Sequence, residues 1–183
     1  MAPGEPISYT DGEGTLGTGS LRAESVLRGD ESKLAPAPVL ELAVAPPHER
    51  DRLRWLVEKA GELEVHRLRW LKTRFGHGRA HLLPKAQEWA VPALEQSRGA
   101  WLTRVDGDLV EPGELNDGLL TVVADRGGGS FPSLQPLRVM VGPEGGWAPG
   151  EVDSFPTVVG LGRNVLRTET AAIVAAGLFR ARR

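Results

Sequence analysis

Residues 137–147 read Leu137-Arg138-Val139-Met140-Val141-Gly142-Pro143-Glu144-Gly145-Gly146-Trp147. Leu137 to Val141 is a short, nearly all-apolar run, the pattern of a strand buried on both faces. Three glycines then fall within five residues at its carboxyl end, where a chain without Cβ atoms lets backbone N–H and C=O groups approach a ligand closely. Ligands of α/β sheets bind outside the carboxyl ends of the strands. Read alone, the segment also fits a tight turn with no ligand. No Gly-x-x-x-x-Gly-Lys-Ser/Thr loop and no Gly-x-Gly-x-x-Gly after a first strand is present, so neither a nucleoside triphosphate nor a nicotinamide cofactor is indicated.

Outward from this segment the pattern alternates. Val39 to Ala45 predicts a buried strand ended by Pro46-Pro47. Glu49 to Glu62 places Leu53, Leu56, Val57 and Ala60 on one helical face, with Leu63 continuing the stripe. Val65 to Leu71 predicts a strand. Lys85 to Ser97 predicts a helix with a kink or break at Pro92. Leu119 to Ala124 and Val158 to Leu161 predict further strands. Thr168 is the expected N-cap of a last helix over Glu169 to Arg180, whose Ala171, Ala172, Ala175 and Ala176 allow close packing. Arg180, Arg182 and Arg183 suit the negative end of its dipole. Strand–helix alternation predicts an α/β domain with a mostly parallel sheet.

Met1 to Ala37 is different in kind. It is rich in Gly, Ser and Thr, with turn signals at Asp11-Gly12 and Gly17-Thr18-Gly19. The short apolar runs around them predict two or three small strands, too few to bury a core alone.

The chain has 183 residues, 24 acidic and 22 basic, for a net charge of −2, which argues against a nonspecific grip on nucleic acid. That balance hides segregation. Residues 1–37 carry three basic and six acidic groups, a net of −3; residues 50–79 carry nine and four, a net of +5. Residues 101–136 carry two and six (−4), and residues 160–183 carry five and one (+4). Such blocks suit solvated faces or a localised basic surface for a phosphate backbone. The absence of cysteine removes disulfides, thiolate metal sites and a catalytic thiol. No run approaches the ~20 apolar residues of a membrane span, and Met1 to Thr10 has no basic-then-apolar leader pattern, so the expectation is an intracellular, cytoplasmic protein without a membrane partner. His77 and His81 have an i, i+4 spacing, but Gly76 and Gly78 make a helix there doubtful; a loop is expected, and no metal.

A second segment, Leu161-Gly162-Arg163-Asn164-Val165-Leu166-Arg167-Thr168-Glu169-Thr170-Ala171, joins a short strand to the last helix. Together with the glycine loop it resembles the carboxyl-terminal signature of the RsmE-type 16S ribosomal RNA (uracil-N3)-methyltransferases of the SPOUT superfamily. That signature is Gly-Pro-Glu-Gly-Gly-aromatic, then Leu-Gly-x-Arg-x-Leu-Arg-x-Glu-Thr-Ala, at similar spacing. Glu58 to Val65 is similar to the family's first-helix motif and Glu95-Gln96-Ser97 to its central-helix motif.

The resemblance implies a SPOUT-type trefoil-knotted α/β domain over residues 38–183, preceded at 1–37 by a partial PUA-like β-barrel remnant. It implies S-adenosylmethionine as cofactor, a homodimer, and methylation of uracil N3 in the RNA of the small ribosomal subunit. Asp125, Gly142, Pro143, Glu144, Gly145, Gly146, Leu161, Gly162, Asn164, Val165, Leu166 and Thr168 would hold the cofactor. Arg167 would anchor the flipped base or a phosphate and stabilise charge on the uracil oxygens, and Glu169 or Glu144 would handle the proton. Arg52, Lys59, Arg74 and Arg98 would contact phosphates. The loop beginning Asp125-Arg126-Gly127 is expected as a third cofactor loop. Departures from the pattern include Gly61, Glu64, Phe75, Arg98-Gly99 and the shortened stretch between Gly150 and Val158. Two rivals stay open: methylation of a different RNA, and a non-catalytic RNA-binding or assembly module with a vestigial pocket.

Overall fold

The computed structural model describes residues 4–23, 25–76, 80–132 and 136–181. The amino-terminal part forms an antiparallel sheet of β1 (Pro6–Thr10), β2 (Thr15–Arg22) and β3 (Ser25–Lys33), in that order. The turn between β1 and β2 is set by Asp11, whose Oδ1 accepts the N–H groups of Glu13 at 2.7 Å and Thr15 at 2.9 Å. Gly17 to Gly19, expected as a second turn, lies inside β2, where the pairing with β3 shifts register. The sheet is tied to the rest of the chain through one strip of backbone: Gly14 N–H donates to Ala100 C=O at 2.8 Å, and Leu102 N–H to Gly12 C=O at 2.9 Å. Gly14 has φ +97° and a Cβ there would lie 2.5 Å from the Trp101 ring, so only glycine fits.

After the Pro36 to Pro38 joint come β4 (Leu40–Val44), α1 (Arg50–Glu62), β5 (Arg67–Leu71), α2 (Gln87–Ser97), β6 (Arg104–Val110), β7 (Thr121–Gly129), β8 (Leu137–Val141), β9 (Val158–Val159) and α3 (Thr168–Arg180). The six strands form one parallel sheet in the order β6-β5-β4-β8-β7-β9. The expected parallel α/β architecture and the antiparallel segment before it are both present.

The period-2 rule assigns the two faces. Leu40, Leu42, Val44, Leu68, Trp70, Leu137, Val139 and Val141 face one side and share a core with Leu53, Leu56, Val57 and Ala60 of α1 and the alanines of α3. Ala43, Leu71, Val123 and Met140 face the other, where Leu115 and Phe155 from irregular segments cover them.

Several expectations need correction. α2 runs unbroken through Pro92. β6 was not foreseen, because Arg-Val-Asp-Gly-Asp-Leu-Val is too polar to read as a buried strand; its pairing with β5 is what makes it one. β7 starts two residues later than expected and continues to Gly129. The stretch Asp125-Arg126-Gly127, expected as a loop, is therefore a bulge within the strand, with Ala124 and Gly129 both pairing with Val159. Thr168 is not the N-cap of α3. Arg167 takes that position in extended conformation, and Thr168 is the first helical residue. Arg180 does more than face the helix dipole: it donates to the carbonyls of Leu63 at 2.9 Å and Pro38 at 2.8 Å and to that of Glu64, fastening the end of α3 to the end of α1. His77, Gly78, Arg182 and Arg183 lie outside the described residues.

Candidate cofactor cleft and nucleic-acid interface

The carboxyl ends of β7 and β8 open into a cleft of about 280 Å³, at the lower edge of the ~300–1,000 Å³ typical of ligand pockets. All twelve residues expected to hold a cofactor line it: Asp125 from the β7 bulge, Gly142 to Gly146 after β8, and Leu161, Gly162, Asn164, Val165, Leu166 and Thr168 before and into α3. Ala124, Arg126, Val141, Trp147 and Ala171 complete the wall. Arg126, Trp147 and Ala171 belong to the quoted segments without being expected at the cofactor, and Ala124 and Val141 are brought there by the strands β7 and β8.

Four of the residues that line the cleft, Gly142, Gly145, Gly146 and Gly162, are glycines. Gly142 follows the last ladder residue of β8, and its carbonyl accepts the Thr168 hydroxyl at 3.0 Å, which joins the glycine loop to the start of α3. A Cβ at Gly142 would lie 2.9 Å from the Trp147 ring, and one at Gly145 would lie 2.9 Å from Phe75 Cβ. Both contacts are tighter than side chains tolerate, so close packing against Trp147 and Phe75 requires glycine at both positions. Asn164 stands where the quoted signature has Arg, and it also lines the cleft.

Arg167 and Glu169 do not line the cleft. Arg167 lies between Leu166 and Thr168, which do, and its exposed guanidinium pairs with no carboxylate among the described residues. Glu169 turns the other way. Its side chain is 9% exposed, Oε1 is 3.7 Å from Arg52 Nε on α1, and Oε2 has no hydrogen-bond partner among the described residues. About half a helical turn thus separates these two groups, which lie two apart in the motif, because residues two apart point to different sides of a helix.

The four basic residues expected at phosphates are dispersed. Arg52 also pairs with Glu49 at 3.1 Å, and Lys59 pairs with Glu62. Arg74 lies in the loop after β5, where its N–H donates to Glu151 Oε1 at 2.7 Å. Arg98 is the left-handed C-cap residue of α2 and is exposed.

Opposite the cleft, at the amino ends of the strands, lies a charge network absent from the expectations. Arg138 of β8 is 1% exposed and donates to Glu41 of β4 at 2.8 Å, to Asp117 at 2.8 Å and to the Leu115 carbonyl at 2.7 Å. Arg69 and Arg67 of β5 meet Asp106 of β6 at 3.2 and 2.9 Å, and Arg69 reaches Asp117 at 3.8 Å. The Arg138 hydrogen bonds hold the Asp117 carboxyl down to about 2. Among the described residues no cluster of His, Asp and Glu has the make-up of a metal site, and no helix is long and apolar enough to cross a membrane.

A family model described as an RNA methyltransferase domain matches residues 35–180. The ribosomal RNA small subunit methyltransferase E proteins of Mycobacterium bovis and Mycobacterium tuberculosis are each 30% identical over 213 residues, covering 97% of this chain and 78% of the relative. A probable rRNA-methyltransferase of Porphyromonas gingivalis superposes with a TM-score of 0.88 at 23% identity, over 100% of this chain and 86% of that one. Ribosomal RNA small subunit methyltransferase E of Neisseria gonorrhoeae, solved bound to S-adenosyl methionine, gives 0.85 at 24% identity, over 99% and 84%. These two likenesses establish the fold.

Proposed function

The chain belongs to the RNA methyltransferase family, in its ribosomal RNA small subunit methyltransferase E branch, and from that premise we propose that it methylates N3 of a uracil in small-subunit ribosomal RNA with S-adenosylmethionine. The carrying observation is that three separated segments, Asp125-Arg126, Gly142 to Trp147 and Leu161 to Thr168, wall one cleft at the carboxyl ends of the parallel strands. A cleft lined by glycine backbone offers donors and acceptors in fixed directions, which suits an adenosine, and its aliphatic residues Val141, Leu161 and Leu166 suit the flat base.

When bound, S-adenosylmethionine supplies an electrophilic methyl group on a sulfonium. The residues of the chain must do the rest. Uracil N3 has to shed its proton and lie in line with the breaking bond, so the base must be held and negative charge on its oxygens stabilised. Arg167 is assigned that task, as an exposed cation next to the cleft-lining Leu166 and Thr168 with no carboxylate partner among the described residues. Glu169 is assigned to holding Arg52 of α1 and thereby the first turn of α3, since its carboxylate faces away from the cleft. Arg74 and Arg98 are the favoured phosphate contacts, as Arg52 and Lys59 are already engaged by carboxylates. Residues 1–37 act as a partial RNA platform, and the reading includes a knotted, homodimeric, cytoplasmic enzyme.

Two measurements test this reading. Calorimetric titration with S-adenosylhomocysteine, with light scattering on the same sample, is expected to give saturable binding to a dimer. Transfer of labelled methyl to 16S ribosomal RNA or the assembled small subunit is expected from the wild-type chain and lost in Arg167→Ala, with S-adenosylhomocysteine affinity unchanged. Absence of binding by a folded dimer would favour the non-catalytic module; full turnover by Arg167→Ala would remove Arg167 from the mechanism.

A further inference from the structure

We propose that Phe75 is the stacking platform for the base presented to the cleft, an inference that rests on the RNA methyltransferase reading. Phe75 lies in the short loop after β5, and it is 43% exposed. Exposure of a single apolar side chain is ordinary on a protein surface and would mean nothing alone. Its position is what matters. Phe75 Cβ approaches Gly145 so closely that a Cβ there would be 2.9 Å away, and Gly145 is part of the cleft wall. Phe75 therefore packs directly against the loop that walls the cleft, beside the lining residues.

That contact is fastened. One carboxylate spans two loops: Glu151 Oε1 accepts the Arg74 N–H at 2.7 Å, and Oε2 accepts the Ala148 N–H at 2.8 Å. The residue before Phe75 is thus bound to the same segment that continues from the glycines. Gly76 N–H donates to the Thr73 carbonyl at 3.2 Å and closes the turn that carries the ring. Trp147, the other aromatic of the cleft, is packed against Gly142 and against the buried cluster of Met140 and Phe155. Phe75 is left as the ring with a free face at this edge.

A base delivered to an electrophilic methyl must leave its stack, and a flat apolar surface at the destination offsets part of that loss. Stacking on an aromatic side chain is indifferent to the edge of the base, so it leaves N3 and both carbonyl oxygens open to the cleft and to Arg167. Arg74, adjacent in sequence and exposed, is placed to meet a phosphate flanking the stacked nucleotide.

The test compares Phe75→Ala, Phe75→Leu, Phe75→Tyr and Phe75→Trp in the full chain, with thermal melting confirming that each folds. For methyl transfer to 16S ribosomal RNA, kcat/KM is expected to fall by about tenfold to a hundredfold in the Ala and Leu variants. The Tyr and Trp variants keep it, and S-adenosylhomocysteine affinity stays unchanged in all four. Wild-type kcat/KM in the Ala variant overturns the proposal, as does full activity in the Leu variant, which would make the residue apolar filler. Weakened S-adenosylhomocysteine binding overturns it by assigning the ring to the cofactor side. Conversion of the Ala variant to monomer overturns it by assigning the ring to a second copy of the chain. No transfer by the wild-type chain overturns the functional reading and this inference together, a result distinct from all the others.

Discussion

The two ends of the parallel sheet are built by opposite means. At the carboxyl ends, β7 and β8 run into turns whose working parts are backbone amides and carbonyls, with Gly142, Gly145 and Gly146 keeping side chains out of the way. At the amino ends, side chains join β8 to β4 and to the segment before β7, with Arg138 buried between Glu41 and Asp117, and join β5 to β6, with Arg67 and Arg69 around Asp106. One end is open to a ligand and is shaped by what is missing. The other is closed by ion pairs and shaped by what is present. The difference teaches that stability and binding need not compete here, because they draw on different atoms at opposite ends of one sheet.

Breaking the closed end should have the largest effect. Arg138→Ala leaves Glu41 without its buried cation, and loss of one partner from a buried ion pair costs about 3–5 kcal/mol. Urea unfolding should show that loss in the midpoint, while S-adenosylhomocysteine affinity of the folded fraction stays near wild type. A matching loss of affinity would show that the two ends are coupled. At the open end, Gly142→Ala forces a Cβ to within 2.9 Å of the Trp147 ring. Overpacking of this kind costs about 1–3 kcal/mol, and calorimetry should show it as weaker S-adenosylhomocysteine binding by about tenfold or more with only a small drop in melting temperature.

The smallest effect is the dependence on pH. Asp117 is held down to about 2 by Arg138, below its unfolded value of about 3.9. A depressed folded-state carboxyl contributes stability that is complete above the unfolded value and is lost as pH falls toward the folded one. Urea midpoints should therefore hold level above about pH 4.5 and decline between about 4 and 2. Asp117→Asn should flatten part of that decline. An unchanged profile in the variant would transfer the acid sensitivity to other carboxylates.

Most of the fold was legible because its signals are local. β4, β8 and α1 follow from apolar runs and a helical stripe within a dozen residues, and the observed bounds differ from the expected ones by a residue or so. The glycine loop and the segment before α3 were legible for the same reason, each being contiguous. β6 was not, since Asp106 and Asp108 conceal a strand whose partner Arg67 lies 39 positions earlier. The charge network was illegible on the same grounds: Arg138 and Glu41 are 97 positions apart. Glu169 follows the cleft-lining Thr168 directly, yet helical geometry turns it toward Arg52 of α1, which no local pattern shows.

What the sequence determined by itself is the strands and helices other than β6, the backbone freedom at Gly142 to Gly146, and the family resemblance carried by two contiguous motifs. Each depends on interactions between residues close along the chain. Only the tertiary structure decided that Asp125, Gly142 and Leu166 share one wall, that Arg138 is neutralised by Glu41 and Asp117, and that Glu151 ties the loop after β5 to the segment that follows the glycines. These depend on strand order and on which side chains meet across the sheet. A parallel sheet joins its strands through crossovers, so the groups it brings together are distant in sequence and leave no local trace.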